Sequence, residues 1–370
     1  MTGIYIHFPF CKQKCRYCDF VSYSGKLSEG ERYVDALISE MEAYRGALVD
    51  TVYLGGGTPT ALAPSLLSKV LSRVASSFSL AENCEITVEA NPGTCDKNTF
   101  SCLASCGVNR VSLGVQSFSD FELSLLGRIH TKKDVYEAVD AIRFAGIKNI
   151  SLDLMFSIPG QTRESLYDSL YQAVSLSPEH LSCYSLILCE GTAMYEANER
   201  GELALPDEDE DRDRYALLVE FLKNHGYDRY EISNFARGGK ISRHNTKYWT
   251  RAPYIGLGAA AHSFYENCRY ENPSDLLAYY KQVGNKILPK GEKITEKDAM
   301  AEFMFLGLRQ TEIGVSRSEF LRCFGKSLDE IFGRTVQRLC ALKLLDDSGD
   351  RIRLTDRGID VSNAVFCEFI

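Results

Sequence analysis

Cys11, Cys15 and Cys18 stand in the run Tyr5-Ile6-His7-Phe8-Pro9-Phe10-Cys11-Lys12-Gln13-Lys14-Cys15-Arg16-Tyr17-Cys18-Asp19-Phe20, a C-x3-C-x2-C spacing. Three thiolates on one short loop can hold three irons of a 4Fe–4S cluster. The fourth iron then has no protein ligand nearby. An open metal position invites an exogenous ligand, as a catalytic zinc keeps one place for water or substrate. Zinc itself would want a fourth Cys or His at ordinary spacing. None follows closely, and His7 sits in a strand-like run. A disulfide framework does not suit a chain of 370 residues with an odd count of 13 cysteines. The other ten are scattered. Cys102 and Cys106 repeat the C-x3-C spacing inside a helical pattern and read as small buried hydrophobes.

Other chemistry-bearing residues follow strand-like runs. Leu54-Gly55-Gly56-Gly57-Thr58-Pro59-Thr60 is a glycine loop whose backbone N–H groups can approach a ligand closely. It is no P-loop, because no Gly-Lys-Ser/Thr follows. Glu89, Gln116 and Asp153 each fall near the end of such a run, and Arg128 and His130 lie in Gly127-Arg128-Ile129-His130. Carboxylates there can accept hydrogen bonds from hydroxyl or amino groups, and an Arg can pair with a carboxylate. Taken singly each reads as a structural hydrogen-bonder. Gathered on one rim they read as a binding site.

Two further segments stand out. Gly256-Leu257-Gly258-Ala259-Ala260-Ala261 matches G-x-G-x-x-A but lacks a clear preceding strand in a βαβ unit, so it is discounted as a dinucleotide site. Ser242-Arg243-His244-Asn245-Thr246-Lys247-Tyr248-Trp249 holds the only Trp of the chain beside an exposed-looking His. His can ligate haem iron, and flat aromatics suit a macrocycle. On these residues alone a packed loop with a hydrogen-bonded His is the simpler reading.

The elements that must position these residues alternate. Strands are expected at Gly3–Phe8, Thr51–Leu54, Glu85–Ala90, Arg110–Gly114, Asn149–Met155 and His180–Leu186. Helical patterns include Glu29–Tyr44, Pro64–Phe78, Lys132–Ala145 and Arg163–Leu176. Six βα units imply parallel strands with helical crossovers, an α/β open relative of the (β/α)8 barrel with its chemistry on the C-terminal rim. The expected domains are 1–204 (barrel), 205–294 (an irregular extension) and 295–370 (a smaller, mainly helical unit). The acidic run Asp207–Asp211 reads as a solvated helix start. A helix ending at Leu345, a hairpin across Asp350–Leu354 and a last helix suggest a winged-helix-like unit.

The net charge of −8 argues against a nucleic-acid partner. The N-terminus shows no signal-peptide pattern, and no apolar run approaches membrane-spanning length, so no integral membrane segment is expected. Free thiols and an oxygen-sensitive cluster suit a cytoplasmic location.

With these motifs in view, nearly the whole chain resembles the coproporphyrinogen III oxidase-like radical S-adenosylmethionine (SAM) family. The matching stretches include the Cys11 loop, Leu54–Thr60, Val88–Pro92, Gly114–Phe118, Gly127–His130, Ser151–Gln161, His180–Met194, Gly226–Ala236, Ser242–Trp249 and Tyr254–Phe264. The resemblance implies a partial (β/α)6 barrel with a smaller helical C-terminal domain. It implies that Cys11, Cys15 and Cys18 hold the cluster, whose open iron takes the amino and carboxylate groups of SAM. Tyr5, Tyr17, Gly56, Gly57, Thr58, Glu89, Gln116, Arg128 and Asp153 would surround SAM.

Within the family the chain is similar to the heme-chaperone branch. Asp19-Phe20 follows the third cysteine where the dehydrogenase branch carries a further cysteine, and the longer N-terminal arm of that branch is missing. His244-Asn245-x-x-Tyr248-Trp249 is the heme-chaperone pattern, which makes His244 the implied heme ligand. Two functions follow from the resemblance. One is binding of heme, or a related tetrapyrrole, and its delivery to an acceptor protein. The other is oxidative decarboxylation of coproporphyrinogen III. The chain departs from the family at Phe156-Ser157-Ile158-Pro159-Gly160, where Ser157 replaces a glycine.

Overall fold

Strand alternation explains the architecture. The computed structural model describes residues 1–370. In β1 (Thr2–Phe8), Ile4, Ile6 and Phe8 are fully buried on one face, while Tyr5 and His7 take the other. The same alternation runs through β2 (Leu48–Gly56), β3 (Ser79–Ala90), β4 (Arg110–Gln116), β5 (Asn149–Phe156) and β6 (His180–Ser185). The apolar sets (Val52 and Leu54, Ile86 and Val88, Val111 and Leu113, Ile150 and Leu152, Leu181 and Cys183) join one core beneath the helices. The other face carries Thr51, Tyr53, Thr87, Glu89, Ser112, Ser151, Asp153, His180 and Ser182. Parallel sheets are normally apolar on both faces. Here one face is polar, which marks it as the working surface.

The helices cover the apolar face. They are α1 (Gly30–Met41), α2 (Pro64–Ser77), α3 (Lys97–Ser105), α4 (Lys132–Phe144) and α5 (Arg163–Ser175). In α1, Tyr33, Val34, Leu37 and Met41 form a helical apolar stripe against the sheet. Local chemistry starts the helices. Pro64 opens α2, Asp96 accepts from the Thr99 N–H at 2.8 Å to cap α3, and Thr131 with Asp134 forms a capping box for α4.

The six expected strands pair in parallel in the order β1-β2-β3-β4-β5-β6, the open α/β barrel anticipated from the sequence. A seventh parallel strand, β7 (Tyr254–Leu257), lies on the outer side of β1. The sequence reading treated this stretch as irregular. Its four residues lack alternation because Gly256 is pressed against the backbone of the antiparallel strand His262–Tyr265. A strand thus does precede Gly258, but an antiparallel strand follows it in place of a helix. Antiparallel strands extend both edges of the sheet.

Helix α6 (Glu208–Asn224) is capped by Asp207, as expected of an acidic helix start. Asp211 departs from the solvated reading. Its carboxylate accepts from Ser185 Oγ at 2.8 Å and from the Ser157 hydroxyl. Ser157 has φ +58°, a left-handed conformation that glycine adopts without strain. The hydrogen bond to Asp211 holds the serine there.

A second core gathers Met304, Leu308, Phe320, Val336, Leu339 and Ile352 among the C-terminal residues. The helix expected to reach Leu345 stops at Ala341, because Lys343 takes φ +59° and reverses the chain. Leu345–Asp347 and Arg351–Leu354 then pair as the hairpin, with Val315–Ser316 alongside. No helix is long and apolar enough to cross a membrane.

Candidate functional site

The polar ends of β2 to β6 surround a cavity of about 270 Å³, and the cysteine loop forms its mouth. Cys11, Cys15 and Cys18 all line it. Backbone bonds pin the loop to the rim: Arg16 N–H to Leu126 O at 3.0 Å and Met194 N–H to Arg16 O at 2.9 Å. Cys11 Sγ lies 3.5 Å from Thr58 Oγ1, and Arg128 Nη1 lies 3.4 Å from Cys15 Sγ. Burial pushes the Cys11 and Cys18 thiols up. No three His, Cys, Asp or Glu side chains converge tightly enough to hold a single ion. A cluster asks for a wider splay, with one thiolate to each iron. Three thiols around one cavity mouth fit that demand.

The glycine loop supplies the adjoining wall. The Gly57 N–H donates to Phe8 O and the Thr58 N–H to Phe10 O, both at 2.8 Å. A Cβ on Gly57 would stand 2.8 Å from both of those oxygens, so only glycine fits there.

Glu89, at the end of β3, accepts from Tyr53 OH at 2.8 Å and from the Gly56 N–H at 3.1 Å. Burial pushes its carboxyl up to about 7; the Tyr53 bond opposes this and the neighbouring Asp153 adds to it. Asp153 accepts from Ser112 Oγ at 3.1 Å, and burial pushes it up to about 6. Arg128 donates to Asn91 Oδ1 at 2.5 Å and Gly114 O at 2.6 Å. Gln116, at φ +66°, accepts from Tyr184 OH at 2.7 Å.

Of the nine residues expected around SAM, Tyr17, Gly56, Gly57, Thr58, Glu89, Gln116, Arg128 and Asp153 line the cavity. Tyr5 does not. It stands one row back, its hydroxyl 3.0 Å from His7 Nδ1 and its ring beside Tyr53. His130 is buried outside the lining, its Nε2 3.1 Å from Val115 O.

His244 requires a correction. It is 1% exposed, not a surface residue. It lies in α7 (Arg243–Trp249), which docks on the polar face of the sheet. Its Nδ1 is 2.9 Å from Thr51 Oγ1 and its Nε2 is 3.0 Å from Tyr248 OH. Its ring stacks on Tyr53 with centroids 5.2 Å apart. Burial drives its pKa down to about 3, so the ring is neutral. Both nitrogens are engaged, and in this conformation neither can bind iron. Trp249 lies under the Arg309 guanidinium, 4.4 Å from its ring centroid.

Sequence reasoning passed over Tyr53, Ser112, Ser182, Tyr184 and Asn245, which also line the cavity. Period-two alternation on β2, β4 and β6 could have found the first four. Asn91, just beyond the end of β3, lines the cavity too. It ties the rim together by donating to Thr58 Oγ1 at 2.7 Å while accepting from Arg128.

Comparison with known proteins adds to this geometry. Residues 5–171 match the Radical SAM superfamily, and residues 294–361 match the HemN C-terminal domain. The chain is 36% identical to heme chaperone HemW of Lactococcus lactis subsp. lactis, covering 100% of this chain and 97% of that protein. It is 37% identical to heme chaperone HemW of Bacillus subtilis, covering 100% and 99%. The solved coproporphyrinogen III oxidase (HemN) of Escherichia coli, a radical SAM enzyme, superposes with a TM-score of 0.86. That likeness covers 100% of this chain and 89% of that one at 23% identity, and it speaks for the fold.

Proposed function

The chain belongs to the radical SAM family of HemW heme chaperones, and from that premise we propose that it binds heme and passes it to an acceptor protein. The likeness to HemW proteins along the whole chain carries this reading. Cys11, Cys15 and Cys18 hold a 4Fe–4S cluster. Gly56, Gly57, Thr58, Glu89, Gln116, Arg128, Asp153 and Tyr17 form the walls for SAM. The cluster with SAM supplies one-electron chemistry when both are bound. The chain's own part is to position and shield. The glycine loop lets the backbone approach the ligand closely, the two carboxylates would offer negative charge to a cationic ligand, and Arg128 braces Cys15. A reducing, cytoplasmic setting suits a chain of 13 cysteines that carries such a cluster.

His244 remains the proposed heme ligand, with a condition. Its Nε2 must give up Tyr248 on the same helix, and because the ring is buried against Thr51 and Tyr53 of β2, ligation also requires α7 to lift from the sheet.

The test is heme titration of cluster-reconstituted protein, followed by an anaerobic turnover assay with SAM, a low-potential reductant and coproporphyrinogen III. The expected result is stoichiometric heme binding, lost in His244→Ala with an unchanged cluster spectrum, and no porphyrinogen product. Sustained protoporphyrinogen formation would overturn the chaperone reading. Stoichiometric heme binding by His244→Ala would remove that residue from the ligand role.

A further inference from the structure

We propose that Arg110 is a positioning residue of the cavity: a buried cation, unpaired by any side chain, that keeps the Glu89 and Asp153 carboxylates ionised to receive SAM. The proposal rests on the SAM reading above.

Strand register places Arg110. It opens β4 and pairs in register with Thr87 of β3 and Asn149 of β5. Two residues further along β4, Ser112 pairs with Glu89 and lines the cavity. Residues two apart on a strand share a face, so Arg110 lies on the polar face, one row beneath the cavity floor. The residues of β1 to β6 that share this face include no other Lys or Arg.

Arg110 is 1% exposed, and its Nε and Nη1 have no hydrogen-bond partner. An isolated buried guanidinium is costly, and it cannot escape the cost by losing its proton. What offsets the cost here is charge at one remove. Glu89 and Asp153 sit in the rows above, and Arg110 draws both carboxyls down against burial. The two carboxylates also repel each other, Asp153 raising Glu89. Without the cation, Glu89 would hold its proton to a higher pH than it does now.

The other titratable groups facing this interior do not supply that charge. They are Tyr5 of β1, Tyr53 of β2, His180 of β6, Tyr230, and His244 and Tyr248 of α7, together with Glu85 of β3, Lys247 of α7 and Arg128 at the rim. Glu85 accepts from the Arg243 and His244 N–H groups. Lys247 is paired with Asp50 at 2.7 Å, and Arg128 is taken up by Asn91, Gly114 O and Cys15. Both histidines are held neutral by burial, and the four tyrosines have raised pKa values and stay neutral. Arg110 is therefore the formal cation of the floor. SAM is a sulfonium cation whatever the pH, so the charge on the two carboxylates bears directly on its affinity.

The test is the SAM dissociation constant of cluster-reconstituted protein, measured anaerobically by calorimetry from pH 5.5 to 8.5. In the wild type, affinity should weaken as pH falls through about 7, where Glu89 takes up its proton. Arg110→Met should move that midpoint up by about one pH unit. Affinity at pH 7 should then fall by about fivefold and largely recover at pH 8.5. Arg110→Lys keeps a charge beside the carboxylates and should leave the midpoint near its wild-type value.

A uniform loss of affinity at every pH in Arg110→Met, or no loss at all, would overturn the proposal. So would an Arg110→Lys midpoint displaced as far as that of Arg110→Met. If Arg110→Met does not fold, the Arg110→Lys midpoint decides alone: unchanged supports the role, and a rise of a full unit refutes it. Wild-type protein that holds its cluster yet binds no SAM at any pH would defeat the SAM reading instead, a distinguishable outcome.

Discussion

Gly57→Ala tests whether the glycine loop and the cysteine loop are one mechanical unit. A methyl carbon at Gly57 would stand 2.8 Å from Phe8 O, 2.8 Å from Phe10 O and 2.9 Å from Phe10 N. All three are backbone atoms, so no side chain can turn away. The loop must retreat, and the hydrogen bonds from Gly57 to Phe8 and from Thr58 to Phe10 must stretch. Forcing a methylene-sized group into packed structure costs about 1–3 kcal/mol. Two weakened hydrogen bonds add about 1 kcal/mol each. A loss of roughly 3–5 kcal/mol should lower Tm by roughly 4–6 °C in a chain of this length. Iron and sulfide per chain after reconstitution should fall well below wild type, because Cys11 directly follows Phe10.

Gly55→Ala is the contrast. There a Cβ would meet Tyr53 Cε1 at 2.8 Å and Glu89 Cδ at 2.9 Å. Those are side chains that can turn, so the fold and cluster should survive while SAM affinity drops. Thermal melts, iron analysis and SAM binding read both variants. A Gly57→Ala protein with wild-type Tm and full cluster content would refute the reasoning.

Other outcomes follow from particular contacts. Tyr53→Phe removes a donor that holds the Glu89 carboxyl down, so the pH below which SAM binding weakens should rise; an unchanged profile would show that this bond does not control the charge. Tyr248→Phe frees His244 Nε2 and should speed heme binding in stopped-flow mixing, whereas slower binding would speak against release of that bond as the controlling step. Arg309→Met strands the fully buried Glu231 carboxylate, now 3.4 Å from the guanidinium, and should cost about 3 kcal/mol in denaturant melts. Burial already raises Glu231 and Arg309 opposes that, so the deficit should shrink as the pH falls and the carboxyl protonates.

Much of the site was legible because its signals are short-range. Three cysteines within eight residues need only one loop to meet. The strands announced themselves by alternation, and their ends marked Glu89, Gln116 and Asp153. The helix starts carried their own caps at Asp96, Thr131 and Asp207. Each of these features depends on neighbours a few residues away, so sequence alone determined them.

Only the tertiary structure decided depth and partnership. Tyr5 and Tyr53 pair in register on neighbouring strands and face the same interior, yet Tyr53 stands beside Glu89 in the cavity wall while Tyr5, on the far side of Tyr53 from β3, does not line it. His244 looks exposed in the sequence, although a packed, hydrogen-bonded His is the simpler reading of its own residues. Docking of α7, across 193 residues from Thr51, buries it and engages its Nδ1, while Tyr248 one turn along the same helix takes its Nε2. β7 has no pattern of its own, and becomes a strand because β1 offers it a free edge. Arg110 looks like an ordinary strand residue until register sets it beneath two carboxylates. Burial, and with it the energy of every charge in the site, depends on which distant strands close over a residue, and local spacing does not carry that information.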